Sequence, residues 1–323
     1  MLPLRDTISS KNYPVVNNIL IAVNIFFFLI QLSQGTSFDS FIRVYGLVPA
    51  RYTVPEIGRM FNPLEQVIAL VSFMFLHGGF WHLLGNMWSL YIFGDNIEDR
   101  LGHVRYLIFY LLSGIASGVL HLALNPHSTI PTIGASGAIA GVMGAYMILY
   151  PRSKILTLIP LFFIPYLIEV PAFIFLGIWF LLQFLNAAGS PAHGGGIAWW
   201  AHIGGFIAGI IFLKMLLVTP RSGIGDKLRV ATSKKGTPGL QNIHTTSTTE
   251  NPDLSGDIVI SPLEAIHGTR KMVNIPWGFQ QRLFRVTIPP GVKDGSMLRL
   301  RGMGKRISYD RSGDLFLKVL VRE

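Results

Sequence analysis

A series of apolar runs between residues 17 and 218 limits the fold more than any other feature of this sequence. A helix needs roughly 20 mostly apolar residues to cross the hydrocarbon core of a bilayer. Only 14% of the residues are charged, against about a quarter in soluble domains. We therefore predict an all-α, multi-pass membrane protein whose six spanning helices cover residues 18–32, 80–94, 104–124, 132–150, 172–188 and 197–218.

Two further apolar stretches are predicted not to span the membrane. Residues 64–76 are too short to cross comfortably and are followed by HGGFWH, so we interpret them as a re-entrant or interfacial segment. Residues 155–168 are interrupted by Pro160 and Pro165. We interpret this second stretch as interfacial, leading into the fifth helix.

The distribution of Lys and Arg predicts the orientation, because loops rich in these residues stay on the cytoplasmic side. Basic residues follow the second, fourth and sixth predicted helices, whereas loops 125–131 and 189–196 contain none. We therefore expect both termini in the cytoplasm, with the protein in a bacterial plasma membrane. The first segment, preceded by Arg5 and Lys11, also fits a signal peptide. We expect a retained helix because further spans follow.

Four polar residues fall at a similar depth in three predicted helices. Ser136 lies about one turn into the fourth helix, and His202 lies a similar distance into the sixth. His82 and Asn86 are four residues apart near the outer end of the second helix, and so share one face. Polar groups inside a span are costly, and each is a candidate for function.

A serine hydroxyl next to an imidazole base is the minimal unit for nucleophilic catalysis. His82, Asn86 and the Ser136 backbone amide supply possible donors to a developing oxyanion. The fourth and sixth helices carry no acidic residue at this depth, which favours a Ser–His dyad over a triad. The simplest alternative is that Ser136 only packs against its glycine neighbours. A zinc site built from His77, His82 and His202 is disfavoured because no H-E-x-x-H motif is present, and no metal or cofactor is predicted.

Glycine pairs predict which helix faces meet. Gly137 and Gly141 form a small-xxx-small pair on the fourth helix, and Gly205 and Gly209 form one on the sixth. Such pairs allow helices to approach closely in lipid. Close packing of these two faces would bring the serine oxygen within hydrogen-bonding reach of the imidazole.

Three motifs together make residues 12–218 resemble the rhomboid family of intramembrane serine proteases. HGGFWHLLGN contains His77, His82 and Asn86, GASG contains Ser136 between Gly134 and Gly137, and AHIGGFIAG lies in the helix that carries His202. The resemblance implies a six-helix bundle that cleaves single-pass membrane proteins near the outer membrane surface. It implies Ser136 and His202 as catalytic residues, His82 and Asn86 in oxyanion stabilisation, and supporting positions at His77, Gly134 and Gly137.

This sequence departs from the family pattern at two places. Ala140 stands one turn after the serine, where bacterial members often have a tyrosine that stacks on the catalytic histidine. The Trp-Arg pair often present in the first loop is not evident before His77. Neither change removes a catalytic group, so we expect an active protease. The rival hypothesis is a membrane chaperone or quality-control adaptor that binds transmembrane segments without cleaving them.

The chain becomes polar and basic after residue 218. Residues 219–252 are rich in Ser, Thr, Gly and Lys and predict a flexible linker. Residues 253–323 read as short strands between Gly/Pro turns and predict a small β-sandwich-like domain. From residue 257 onward this domain resembles the C-terminal, substrate-binding domain of DnaJ-type co-chaperones, which implies an unfolded polypeptide or a chaperone as its partner; a packing or regulatory module is the alternative. Much of the net charge of +10 lies in this tail and is expected to face anionic lipid rather than nucleic acid.

Overall fold

The computed structural model describes residues 2–8, 10–161, 164–189, 198–219, 228, 231–233, 240–243, 245, 252–277, 280–305 and 312–322. Its contacts divide the chain into two compact units, residues 1–233 and 234–323. Each unit has its own apolar core.

Helices dominate the first unit, as predicted. They are α1 (Val15–Ser33), α2 (Phe38–Tyr45), α3 (Ala50–Thr53), α4 (Pro55–Gly58), α5 (Pro63–Ser72), α6 (Phe80–Leu101), α7 (His103–Leu124), α8 (Ser136–Leu149), α9 (Ala172–Gly189) and α10 (Trp199–Val218). Within the described residues, α1, α7, α9 and α10 are long and apolar enough to cross a membrane. Only 28–39% of the residues in these spans are buried, so most of their apolar side chains face outward, as expected in lipid.

The segment at residues 64–76 forms α5 and a short 3-10 turn, Phe73–Phe75. Together with α6 it makes a pair of helices bent by 75°, the geometry of a broken span or a re-entrant segment. Helix α5 begins at a capping box, in which the Asn62 side chain accepts from the Glu65 amide and Glu65 accepts from the Asn62 amide. The sequence-based interpretation of this stretch agrees with the observed bend.

Helix α8 is shorter than predicted, because it begins at Ser136 rather than at residue 132. Thr132 instead exchanges two backbone hydrogen bonds with Leu47, of 2.8 and 3.0 Å. Gly134 then adopts a φ of +128°, which is incompatible with a helix. These two features hold the chain extended up to the serine, so Ser136 opens the helix instead of lying one turn inside it.

Helix α8 lies at the centre of the first unit, and its residues from Gly137 to Tyr146 are all buried. The predicted glycine faces meet: a Cβ at Gly205 would lie 2.0 Å from the Gly137 carbonyl oxygen, and one at Gly209 would lie 2.3 Å from that of Gly141. The backbones of α8 and α10 are therefore in direct contact, which only glycine allows.

The described residues of the stretch 155–168 belong to two paired β-strands, which the sequence analysis did not predict. Strand β2 (Lys154–Leu161) pairs antiparallel with β3 (Ile164–Pro171), and β1 (Leu2–Asp6) adds to the other edge of β2. Pro160 and Pro165 are opposite each other near the hairpin end. The stretch forms strands and not a seventh spanning helix, in agreement with the prediction that it does not cross the membrane.

The second unit contains two three-stranded sheets. The first has the order β4 (Leu240–Asn242), β6 (Thr269–Trp277), β7 (Gln280–Ile288), and the second has the order β5 (Leu254–Ile260), β9 (Leu315–Val321), β8 (Met297–Leu300). The predicted β domain is confirmed, with one short helix, α11 (Pro262–His267), inserted after β5. Side chains from both sheets share one buried core.

Candidate active site

Ser136 occupies the first position of α8. The first amide groups of a helix have no acceptor within the helix, and the helix dipole favours negative charge at this end. The Ser136 amide is therefore available as a donor beside its own hydroxyl. The N-terminal position of Ser136 and its backbone amide both favour a negative charge close to this residue.

His202 is the fourth residue of α10, and its Nε2 lies 2.8 Å from Ser136 Oγ. The glycine contacts between α8 and α10 allow this short distance. The rings of Trp179 and Trp199 flank the imidazole, with centroids 6.0 and 6.1 Å away. The plane of the Trp179 ring is tilted by 30° against that of the imidazole.

The other ring nitrogen, His202 Nδ1, lies 2.8 Å from Gln183 Oε1 on α9. Sequence reasoning did not select Gln183, although it is a polar residue inside a predicted span. Its depth and rotation relative to His202 are set by the packing of α9 on α10, through contacts such as Phe180 against Phe206 at 4.7 Å. That packing cannot be read from the sequence.

His82 lies beside the serine as a hydrogen-bond donor. The Gly78 amide donates to His82 Nδ1 at 3.3 Å, so the neutral ring carries its proton on Nε2. His82 Nε2 lies against Gly134, where an added Cβ would be 2.8 Å away from it. The same Cβ would be 3.5 Å from Ser136 Oγ, so Gly134 borders both His82 Nε2 and the serine oxygen.

Asn86 follows one turn later on α6 and is 8% exposed. Its side-chain nitrogen has no hydrogen-bond partner among the described residues. A buried donor without a partner costs about 1–3 kcal/mol. Because Asn86 lines the same cavity as Ser136, its unpaired nitrogen is a candidate donor to a ligand bound there.

His77 does not reach the serine and supports the site from behind. It is buried, and its ring packs edge-to-face on His82 with centroids 5.2 Å apart. The Gln31 side chain fixes its backbone by accepting from the His77 amide at 3.0 Å and donating to the His77 carbonyl at 2.5 Å. Gln31 on α1 is a second residue that sequence reasoning missed.

Arg51 organises the loop between α1 and α6, although no Trp-Arg pair was found there. It is 2% exposed, donates to the Val44 carbonyl at 2.9 Å and to the Arg43 carbonyl, and stacks on Phe61 at 3.6 Å. A buried guanidinium bonded to backbone carbonyls ties neighbouring segments together. The loop thus has its own anchor.

A cavity of about 1170 Å³ surrounds the serine and opens to the outside of the bundle. Ser136, His202, His82 and Asn86 line it, together with apolar rings that include Trp81 and Trp199. Among the described residues, no three His, Asp or Glu side chains are grouped as ligands for a metal ion. The cavity combines a hydroxyl, a base and donors, the set that acyl transfer requires.

Comparison with known proteins identifies a domain within the first unit. The family model described as the rhomboid domain matches residues 64–219. This chain carries a rhomboid domain. The family model described as the DnaJ C terminal domain matches residues 243–323, so the rhomboid domain is followed by a DnaJ C-terminal domain.

Individual relatives agree with this assignment. Rhomboid protein 1, mitochondrial, of Saccharomyces cerevisiae is 34% identical over 152 residues, which cover 45% of this chain and 40% of the yeast protein. RHOMBOID-like protein 6, mitochondrial, of Arabidopsis thaliana is 33% identical over 208 residues, covering 59% and 61%. Rhomboid protease GluP of Bacillus subtilis is 28% identical over 217 residues, covering 66% and 37%. The chain therefore spans between 37% and 61% of these relatives' lengths.

Proposed function

We propose that this integral membrane protein is a serine endopeptidase that hydrolyses peptide bonds of single-pass membrane proteins near the outer membrane surface. The distance of 2.8 Å between His202 Nε2 and Ser136 Oγ carries this proposal. A hydroxyl is a weak nucleophile until a base within hydrogen-bonding reach takes its proton. Rhomboid domains are generally those of intramembrane serine proteases, and the relative from Bacillus subtilis is named as a protease.

In the first half-reaction Ser136 Oγ attacks the carbonyl carbon of the scissile peptide, and His202 Nε2 takes the hydroxyl proton. The resulting imidazolium gives this proton to the leaving amine, and an acyl-enzyme remains on Ser136. Water entering through the cavity then attacks the ester, again with His202 as base. Transfer of the proton back to Ser136 Oγ releases the acid product.

The negative charge on the substrate oxygen needs donors already in place, because preorganised donors stabilise the transition state more than water does. The Ser136 amide, His82 Nε2–H and Asn86 Nδ2–H are the donors of this site. Loss of one oxyanion donor typically lowers kcat by about 10²–10³-fold. The absence of a Cβ at Gly134 leaves room for His82 Nε2 on the side of Ser136, and the His77 ring packs against His82.

Cleavage of a single-pass model substrate in liposomes tests the proposal directly. We expect wild-type protein to cleave, and both Ser136→Ala and His202→Ala to lose at least about 10³-fold in turnover because each removes half of the catalytic unit. Ser89→Ala is the matched control, since its hydroxyl donates to the Gly85 carbonyl within its own helix. Cleavage by the Ser136→Ala variant would contradict the proposal, and capture of an uncut substrate helix by an inert wild type would favour the adaptor hypothesis.

For the second unit we propose binding of an unfolded polypeptide segment or a chaperone in the cytoplasm. The match of residues 243–323 to the DnaJ C terminal domain supports this role. Cytoplasmic termini remain a prediction from the charge distribution. Protease digestion of sealed inverted vesicles tests it, because a cytoplasmic second unit would be exposed and removed.

A further inference from the structure

Gln183 contacts the catalytic base from the side opposite the serine. Its Oε1 lies 2.8 Å from His202 Nδ1, and its side chain is 6% exposed. A buried amide of this kind constrains its partner strongly, because a lost hydrogen bond would leave two polar groups unsatisfied. The contact joins α9 to the base on α10.

The orientation of the Gln183 amide follows from its second hydrogen bond. The amide nitrogen donates to the Trp179 carbonyl oxygen at 3.3 Å, one turn earlier on α9. With the amide reversed, its oxygen would face that carbonyl oxygen, and its NH2 group would face His202 Nδ1. The bond to Trp179 therefore selects the orientation in which Oε1 accepts a proton from Nδ1.

This orientation determines which imidazole nitrogen is basic. With Nδ1–H donating to Gln183, the neutral ring has its lone pair on Nε2, the nitrogen that faces Ser136. The reversed amide would favour the Nε2–H tautomer, which cannot take the serine proton. In serine proteases with a triad, the wrong tautomer costs about 10⁴ in kcat.

We propose that Gln183 is a positioning residue, which holds His202 in the Nδ1–H tautomer with its ring turned toward Ser136. The inference rests on the proposed protease function and adds a neutral third member to the dyad. An amide stabilises the imidazolium through its dipole without bringing a buried charge into the bundle. Among the described residues, the titratable groups that act electrostatically on His202 are His82 and His121, and neither is acidic.

Two substitutions at Gln183 distinguish the effect of its hydrogen-bond acceptor from the effect of its side-chain packing. Gln183→Met keeps the length of the side chain but removes the acceptor, whereas Gln183→Glu keeps an acceptor at the same place. Asn186→Leu is the matched control, because Asn186 is exposed on the same helix and donates to the Leu182 carbonyl at 2.7 Å, as Gln183 does to Trp179. Each variant is compared with wild type in liposomes for kcat, KM and the pH profile of kcat.

We expect Gln183→Met to lower kcat by about 10–100-fold with KM within about twofold, since only proton transfer is impaired. Gln183→Glu should retain more activity than Gln183→Met. Its acid limb should move to higher pH, because a carboxylate next to Nδ1 stabilises the imidazolium. Asn186→Leu should leave kcat, KM and the profile unchanged.

A spectroscopic measurement distinguishes failure of this inference from failure of the proposed function. Histidine labelled with ¹⁵N reports the tautomer directly, with the His202 signals identified by their loss in His202→Ala. We expect Nδ1–H in wild type and a shift toward Nε2–H in Gln183→Met, whether or not a substrate is cleaved. An unchanged tautomer and an unchanged kcat in Gln183→Met would overturn the inference. If Gln183→Met does not fold, an unchanged acid limb in the pH profile of kcat for Gln183→Glu would overturn the inference.

Discussion

Gly134 is the residue at which backbone conformation and site geometry meet. Its φ of +128° lies in a region that residues with a Cβ rarely adopt. The missing Cβ also leaves room for His82 Nε2, which would otherwise be 2.8 Å from it. This glycine thus ends the extended segment just before α8 and leaves room for the His82 ring beside it.

Substitution of Gly134 by alanine should therefore remove activity more than stability. The Cβ would displace His82 and strain the backbone by about 1–3 kcal/mol, and we expect kcat to fall at least about 10²-fold, the typical loss of an oxyanion donor. Gly177→Ala is the control, because a Cβ at this helical position of α9 meets no atom within 4 Å. Liposome cleavage and thermal unfolding of the purified variants measure the two effects. Wild-type kcat in Gly134→Ala would contradict the importance of this contact.

At the scale of elements, strand β1 attaches the N-terminus to the end of α8 opposite Ser136. The Asp6 carboxylate accepts from Tyr146 at 2.5 Å and from Asn96 at 2.8 Å. Burial is the main reason that the pKa of Asp6 is raised to about 7. This strand pairs with the hairpin β2–β3 and holds it against the bundle.

The raised pKa of Asp6 predicts a pH-dependent stability. An unfolded aspartate has a pKa of about 3.9, so the folded state binds the proton more tightly and the free energy of unfolding falls as pH rises from about 4 to about 7. Asp6→Asn keeps an acceptor for both partners and should raise Tm at pH 8 by a few degrees, but hardly at pH 4. A gain of about 1 kcal/mol corresponds to roughly 2–4 °C in a unit of this size. Asp39→Asn, an exposed acid in α2, is the control, and equal shifts at both pH values would refute the assignment.

Elements differ in how well the sequence predicts them. Helices α7, α9 and α10 end within about two residues of the apolar runs, because the length of an apolar run reports a span directly. The start of α8 was placed too early, since a bridge to Leu47 in a distant loop holds Thr132 extended. The strands β2 and β3 are stabilised by pairing with β1. The contact between Gln183 and His202 depends on how α9 is rotated against α10. Both are tertiary effects that local patterns do not contain.

On the scale of the whole molecule, a rhomboid domain and a DnaJ C-terminal domain share one chain. Ser136, His202 and their supporting residues all lie within residues 1–233. The second unit has a separate core formed by its two sheets. Each unit therefore has the buried apolar residues needed for a core of its own. This favours the proposal that the first unit cleaves and the second unit binds polypeptides.

Deletion of residues 234–323 tests this division. We expect the shortened protein to cleave a short single-pass model substrate within about twofold of the wild-type kcat, because the proposed catalytic groups and their packing contacts remain. Capture of unfolded polypeptide in the same vesicles should be lost, and the set of cellular membrane proteins that are cleaved should become narrower or change. The control replaces residues 234–323 by an unrelated soluble domain of similar size. It distinguishes the loss of polypeptide binding from the mere absence of a domain at this position. An unchanged set of cleaved proteins would argue against recruitment by the second unit, whereas loss of cleavage of the model substrate by a folded bundle would mean that the DnaJ C-terminal domain contributes to the protease itself.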